Sequence, residues 1–168
     1  MIKTITDFYE SARRAIEIIN QFIRQYSLLG IFELDHLGYK CSSSPHFEEM
    51  RRLLEPEHRW LYQSFISGRR ISIIRMQQQL PTMAGPLSLI ELSDHKPNTD
   101  KRDGFDHVEL YPVTVNYDLL VVTLRKRGLA VEEVVRPHHT TYDITLENGF
   151  KIRLTRERLA EKIKREMK

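Results

Sequence analysis

One three-residue word, an aspartate, a histidine and an aliphatic residue, occurs twice: Asp35-His36-Leu37 in "LDHLGYKC" and Asp106-His107-Val108 in "GFDHVEL". Both copies open a run that alternates like a strand. After each, the periodicity switches from two to 3.6 and back again. After "LDHLGYKC" (34–41), "SSSPHFEEMRRLLE" (42–55) reads as a helix with Ser44 as cap and Pro45 in the first turn. Two strands follow around a turn at Ser67–Gly68, and then "PLSLIELS" (86–93). After "FDHVELYP", residues 116–128 read as a helix capped by Asn116, followed by strands at 129–135, 139–147 and 150–155, the last two joined at Asn148–Gly149. The order β-α-β-β-β is written twice. A repeated supersecondary unit of this kind constrains the fold more than any single motif does.

The remaining segments frame the repeat. Residues 4–26 place Ile5, Phe8, Ala12, Ile16, Ile19 and Ile23 at helical spacing behind Thr4 as cap. The polar stretch 95–104 separates the halves, and the tail from Arg156 is helical. The expected architecture is α+β: two βαβββ modules forming a cupped mixed sheet, flanked by an N-terminal and a C-terminal helix. It is expected to be a single domain over 1–168, with a helical extension at 1–30, modules at 31–94 and 104–155, and the closing helix at 156–168.

Alternation assigns side chains to faces. It puts Phe105, His107 and Glu109 opposite Asp106, Val108 and Leu110, and His36 with Leu34, Gly38 and Lys40. Glu91 opposes Ile90 and Leu92. Arg153 lies with Lys151 and Thr155 against Phe150, Ile152 and Leu154, and His139 and Asp143 oppose Tyr142 and Ile144. Trp60 and Tyr62 share a face of the second strand. Helices would cover the apolar faces, leaving a polar face that holds histidines and carboxylates from both repeats. His46, His58, His95 and His138 fall in loops or outer elements and are expected at the surface. Cys41 reads as a small buried hydrophobe.

Bulk properties exclude several classes. A net charge of +3, with acids interleaved among the bases of "RERLAEKIKREMK", lacks the concentrated basic patch of a nucleic-acid binder. No apolar run reaches the length of a membrane span and no signal-peptide core is present, so neither nucleic acid nor membrane is an expected partner. A single cysteine has no internal disulfide partner and fits a reducing, cytoplasmic location. Walker, GxGxxG, CxxC and HExxH motifs are absent.

The paired modules, the Asp-His-aliphatic openings and the "LIEL" closing the first half resemble the vicinal-oxygen-chelate (glyoxalase/bleomycin-resistance/dioxygenase) superfamily. More closely, "DHLGYKC", "ISGRRISIIRM", "LSLIELSDHKP", "GFDHVEL" and "KIRLTRERLAEKI" resemble segments of the bacterial YecM family in order and spacing. The superfamily resemblance implies a divalent metal (Ni, Zn, Mn or Fe) held by His36, Glu91 and His107, a chemically sensible donor set. The position of a fourth ligand, often glutamate, falls on or near Arg153, which cannot ligate. Glu109, on the His107 face, could supply the missing carboxylate.

Two neutral imidazoles and one carboxylate leave a bound divalent ion with a net positive charge, and Arg153 adds another. Like charges about 4–6 Å apart repel by a few kcal/mol at an effective dielectric near 20. The expected partner is therefore a small anionic molecule gripped by Arg153, with isomerase, lyase or dioxygenase chemistry and Glu91, His139 or Asp143 as candidate catalytic groups. The alternative is a non-catalytic anion-binding or interaction protein whose vestigial site is closed by an Arg153–Glu91 ion pair. Monomer and homodimer are both open, as is exchange of modules between chains.

Overall fold

The computed structural model describes residues 2–66, 68–96, 102–135 and 140–166. Helix α1 (Ile5–Gln25) starts in a capping box: the Thr4 hydroxyl accepts from the Asp7 amide, and the Asp7 carboxylate accepts from Thr4 N–H. Its stripe of Phe8, Ala12, Ile16, Ile19 and Ile23 is buried. Then come β1 (Phe32–Lys40), α2 (Ser44–Leu54), β2 (Arg59–Ile66), β3 (Arg69–Leu80) and β4 (Leu87–Ser93). The second module is β5 (Gly104–Pro112), α3 (Tyr117–Lys126), β6 (Glu132–Val135), β7 (Thr140–Thr145) and β8 (Lys151–Leu154), followed by α4 (Leu159–Glu166).

All eight strands form one mixed sheet in the order β2-β3-β4-β1-β5-β8-β7-β6. The modules join within this chain through the antiparallel pair β1·β5. In each module the first strand runs parallel to the fourth, β1 to β4 and β5 to β8. The main core lies under α1, α2 and α3, where Leu37, Tyr39, Ile90, Leu92, Val108, Leu110, Ile152 and Leu154 are all buried. The face bearing Glu91 is partly covered by α4. Its Leu159, Ala160 and Ile163 pack on Ile71, Ile73 and Leu89, with Leu61 and Tyr62 at the edge.

Besides a longer irregularity between Arg75 and Leu80 in the β3·β4 ladder, three one-residue slips break strict alternation. Pairing of β1 with β5 slips between Leu34 and His36, leaving Asp35 as the extra residue, and again between Gly38 and Tyr39, where Asp106 is extra. A bulge puts successive residues on faces that the period-two count does not anticipate. Leu34 therefore joins the helix-side core, and Phe105 packs there against Phe8 and Tyr39, with ring centroids 5.4 and 5.1 Å away. Neither shares the face of its histidine, contrary to expectation. A third slip, between Trp60 and Tyr62, sends Trp60 to the main core and Tyr62 to the α4 side.

Smaller corrections follow from tertiary contacts. The N-cap of α2 is Ser43, whose hydroxyl accepts from His46 N–H; Ser44 instead hydrogen-bonds Asp94. His46 is buried beside the Tyr39 hydroxyl at 3.2 Å, and His58 is buried against Phe8 and Tyr9. Neither is a surface group. Cys41 is buried as expected, and burial raises its thiol pKa. Among the described residues no helix is long and apolar enough to cross a membrane.

Candidate metal centre

The two central strands carry one histidine each onto the face away from α1. Rows of paired residues run outward from them: Glu91, Gly38, His107 and Lys151 in one, and His36, Glu109, Arg153 and Asp143 in the next. The bulged aspartates flank the histidines. Asp35 Oδ2 lies 2.8 Å from His36 Nδ1, and Asp106 Oδ1 lies 2.6 Å from His107 Nδ1. In each pair the carboxylate engages Nδ1 and leaves Nε2 directed at Glu91. The rings meet edge to face, 5.9 Å apart.

Both Nε2 atoms are buried without a hydrogen-bond partner. They converge on Glu91, whose Oε2 is 3.8 Å from His36 Nε2 and whose Oε1 is 3.9 Å from His107 Nε2. One donor atom from each of the three side chains lies within 4.8 Å of the others, as do those of Asp35, His36 and Glu109. Buried polar atoms are normally satisfied. Two orphaned imidazole nitrogens and a carboxylate facing one point form a donor set suited to a borderline divalent cation.

Space for this arrangement depends on Gly38. A Cβ there would collide with the His107 ring, 2.0 Å from Cε1, 2.3 Å from Nδ1 and 2.6 Å from Nε2. The imidazole lies flat over the bare backbone of β1, and no larger residue leaves room for it.

Electrostatics suit a cation. Burial opposes charging of His36, but Glu109, Asp35 and Glu91 outweigh it and lift the pKa to about 9. Burial likewise opposes ionisation of Glu109, yet His36, Arg153 and His107 hold its carboxyl below the ordinary value. Without a metal, a proton on His36 supplies positive charge that these carboxylates favour.

Arg153 does not make the closing pair with Glu91 that the alternative reading required. Its Nε and Nη2 each donate to Asp143 at 3.0 Å, and its Nη1 lies 3.5 Å from Glu109. The reason is register: Asp143 and Glu109 flank Arg153 directly on β7 and β5, whereas Glu91 lies beyond β1. Asp143 is accordingly buried in this pair rather than free to act as a base. His139, the other proposed base, and His138 lie outside the described residues.

Sequence reasoning missed what Asp35 and Asp106 do, because alternation sends them away from their histidines; the signal was the Asp-His word itself. It also missed that Asp35 accepts from Leu159 N–H at 3.1 Å, tying the start of α4 to the His36 pair.

The sequence model of the YecM protein family matches residues 4–160. The chain belongs to the YecM protein family. Among curated proteins none matches. The structural-genomics protein EC4020 is 20% identical, with a TM-score of 0.75 over 96% of this chain and 92% of that one. A variant methylmalonyl-CoA epimerase of Streptomyces coelicolor, in complex with 2-nitronate-propionyl-CoA, gives a TM-score of 0.51 at 15% identity, covering 74% and 96%. Hydroxyglutarate synthase of Oryza sativa, in complex with 2-oxoadipate, gives 0.53 at 9% identity, covering 89% and 77%. The solved neighbours of this YecM family member include vicinal-oxygen-chelate proteins, and at these identities the likeness establishes the fold.

Proposed function

We propose that this YecM family member binds a divalent metal ion through His36 Nε2, His107 Nε2 and the Glu91 carboxylate, and presents it to a small oxygen-donor ligand. The observation that carries the reading is the pair of buried, unpartnered Nε2 atoms converging on Glu91. Water alone would satisfy such atoms in an ordinary polar pocket. Here each imidazole is also oriented from behind by its own carboxylate, the pattern that holds metal-ligating histidines in one tautomer.

The fold relatives include an epimerase and a synthase complexed with an acyl-CoA analogue and a 2-oxo acid. The proposed activity is accordingly of the isomerase, lyase or dioxygenase type, on a small molecule anionic at the oxygens that meet the metal. When bound, the metal would polarise a carbonyl or enolate oxygen. The chain's own residues orient both imidazoles through Nδ1 and place the Glu91 carboxylate between their Nε2 atoms. Arg153, committed to Asp143 and Glu109, is a strut of the site rather than the ligand's grip.

Elemental analysis and calorimetric titration of chelator-stripped protein with Ni(II), Zn(II), Mn(II) and Fe(II) test the reading. One equivalent is expected to bind, with the affinity lowered at least about 100-fold by His36→Ala or His107→Ala; the loss of an orienting partner alone typically costs 10–100-fold. Substoichiometric binding unaffected by either substitution would refute it.

A further inference from the structure

The two modules are related by a simple register rule. In the first, Gly38 pairs with Glu91 on the parallel fourth strand; in the second, Glu109 pairs with Arg153. Glu109 thus occupies the repeat equivalent of Gly38, and Arg153 that of Glu91. A second-module carboxylate has not been lost from the site but sits one strand over, on β5, beside His107.

We infer that Glu109 is a fourth metal ligand, and that Arg153 is the positioning residue that aims it. The inference rests on the metal-binding reading above. Glu109 Oε1 stands 3.9 Å from His36 Nε2, close to the 3.8 Å from Glu91 to the same atom. As it stands, the Glu109 carboxylate groups with Asp35 and His36, so that a rotation of its side chain is needed to join Glu91 and His107. Its side chain is buried to a similar degree, 18% exposed against 15% for Glu91. Glu109 lies directly across from His36 in the β1·β5 ladder, so the strands hold its backbone in place. Arg153 touches it at 3.5 Å with one nitrogen, while two others are fixed to the buried Asp143. A carboxylate has lone pairs for both a guanidinium and a metal.

The count of charges points the same way. Glu91, Glu109 and Asp143 against Arg153 leave two negative charges among these four residues, which one divalent ion neutralises. The excess positive charge expected from the sequence does not arise, because two carboxylates accompany the arginine. Two imidazoles and two carboxylates leave further positions open on a six-coordinate ion, where a ligand can present two oxygens. That donor set suits Mn, Fe, Ni or Zn over the all-oxygen cages of Ca.

Manganese-loaded protein provides the test. Water-proton relaxation counts the waters on Mn(II), and titration gives its affinity. Removing a ligand in Glu109→Ala is expected to add one inner-sphere water and weaken binding at least tenfold. Glu109→Gln, nearly isosteric, guards against a folding defect and should weaken binding by a similar factor. Arg153→Lys keeps the charge but not the fork, and should weaken binding less than Glu109→Ala without removing the ligand. If Glu109→Ala and Glu109→Gln bind within twofold of the parent with the same water count, Glu109 is only a counter-ion and the inference is overturned while the three-ligand reading stands. If the parent chain takes up no metal, the three-ligand reading fails, and this inference with it.

Discussion

Gly38→Ala is the sharpest perturbation available, since it adds a single methyl group in a strand where alanine is otherwise tolerated. The new Cβ would lie 2.6 Å from His107 Nε2, where ordinary contact begins at 3.4 Å. The ring must therefore move by at least about 0.8 Å at Nε2, and further at the two closer atoms. Metal-ligand distances tolerate deviations of only about 0.2 Å. A side chain can give way more easily than the β1·β5 backbone, so the fold should survive at the cost of the His107 position. Overpacking of this sort costs about 1–3 kcal/mol of stability. Metal affinity should fall at least about 100-fold, beyond the 10–100-fold of a lost orienting partner. Calorimetric titration measures the affinity, and denaturant unfolding of stripped protein measures the stability. In a His107→Ala background, Gly38→Ala should cost little more, because the ring it collides with is gone. Affinity in Gly38→Ala within threefold of the parent would refute the close packing of ring on backbone as the reason for glycine here.

Three further outcomes test other parts of the structure. Arg153→Ala removes the guanidinium that pairs with the buried Asp143 carboxylate, and should destabilise the metal-free protein by about 3–5 kcal/mol in chemical unfolding; a loss under 1 kcal/mol would count against a buried pair. Burial holds the His58 pKa below its ordinary value, and its Nδ1 accepts from Gln77 N–H. The unfolded chain therefore takes up this proton first, so the stabilising contribution is present above about pH 6.5 and lost as pH falls below it, by up to about 1.4 kcal/mol per pH unit. His58→Leu should flatten the unfolding free energy between pH 6.5 and 5 relative to the parent, and parallel curves would refute the assignment. Ser43→Ala should cost about 1 kcal/mol as a lost helix cap, read from the shift in denaturation midpoint, and a change below 0.3 kcal/mol would contradict the cap.

Periodicity is local, and what it can express was legible in the sequence. The order β-α-β-β-β twice over, the helix-side faces of β4 and β8, and the shared face of His107 and Glu109 all followed from spacing. The Asp-His word marked the two strands that meet at the centre, and resemblance supplied Glu91. Ser43 against Ser44 was beyond reach because adjacent serines are chemically equivalent, and only the helix geometry selects which hydroxyl meets the amide of His46.

What tertiary structure decided lies where two strands had to fit each other. The extra residues at Asp35 and Asp106 exist only relative to the β1·β5 ladder, and no single-strand count reveals a bulge. Those bulges bring each aspartate back to its own histidine and send Leu34 and Phe105 into the core. The partners of Arg153 were decided in the same way: a long guanidinium binds whichever carboxylates neighbouring strands place beside it, here Asp143 and Glu109. The sequence by itself determined two modules and the residue types on their facing strands. Register, a property of pairs of strands, determined which of those residues meet.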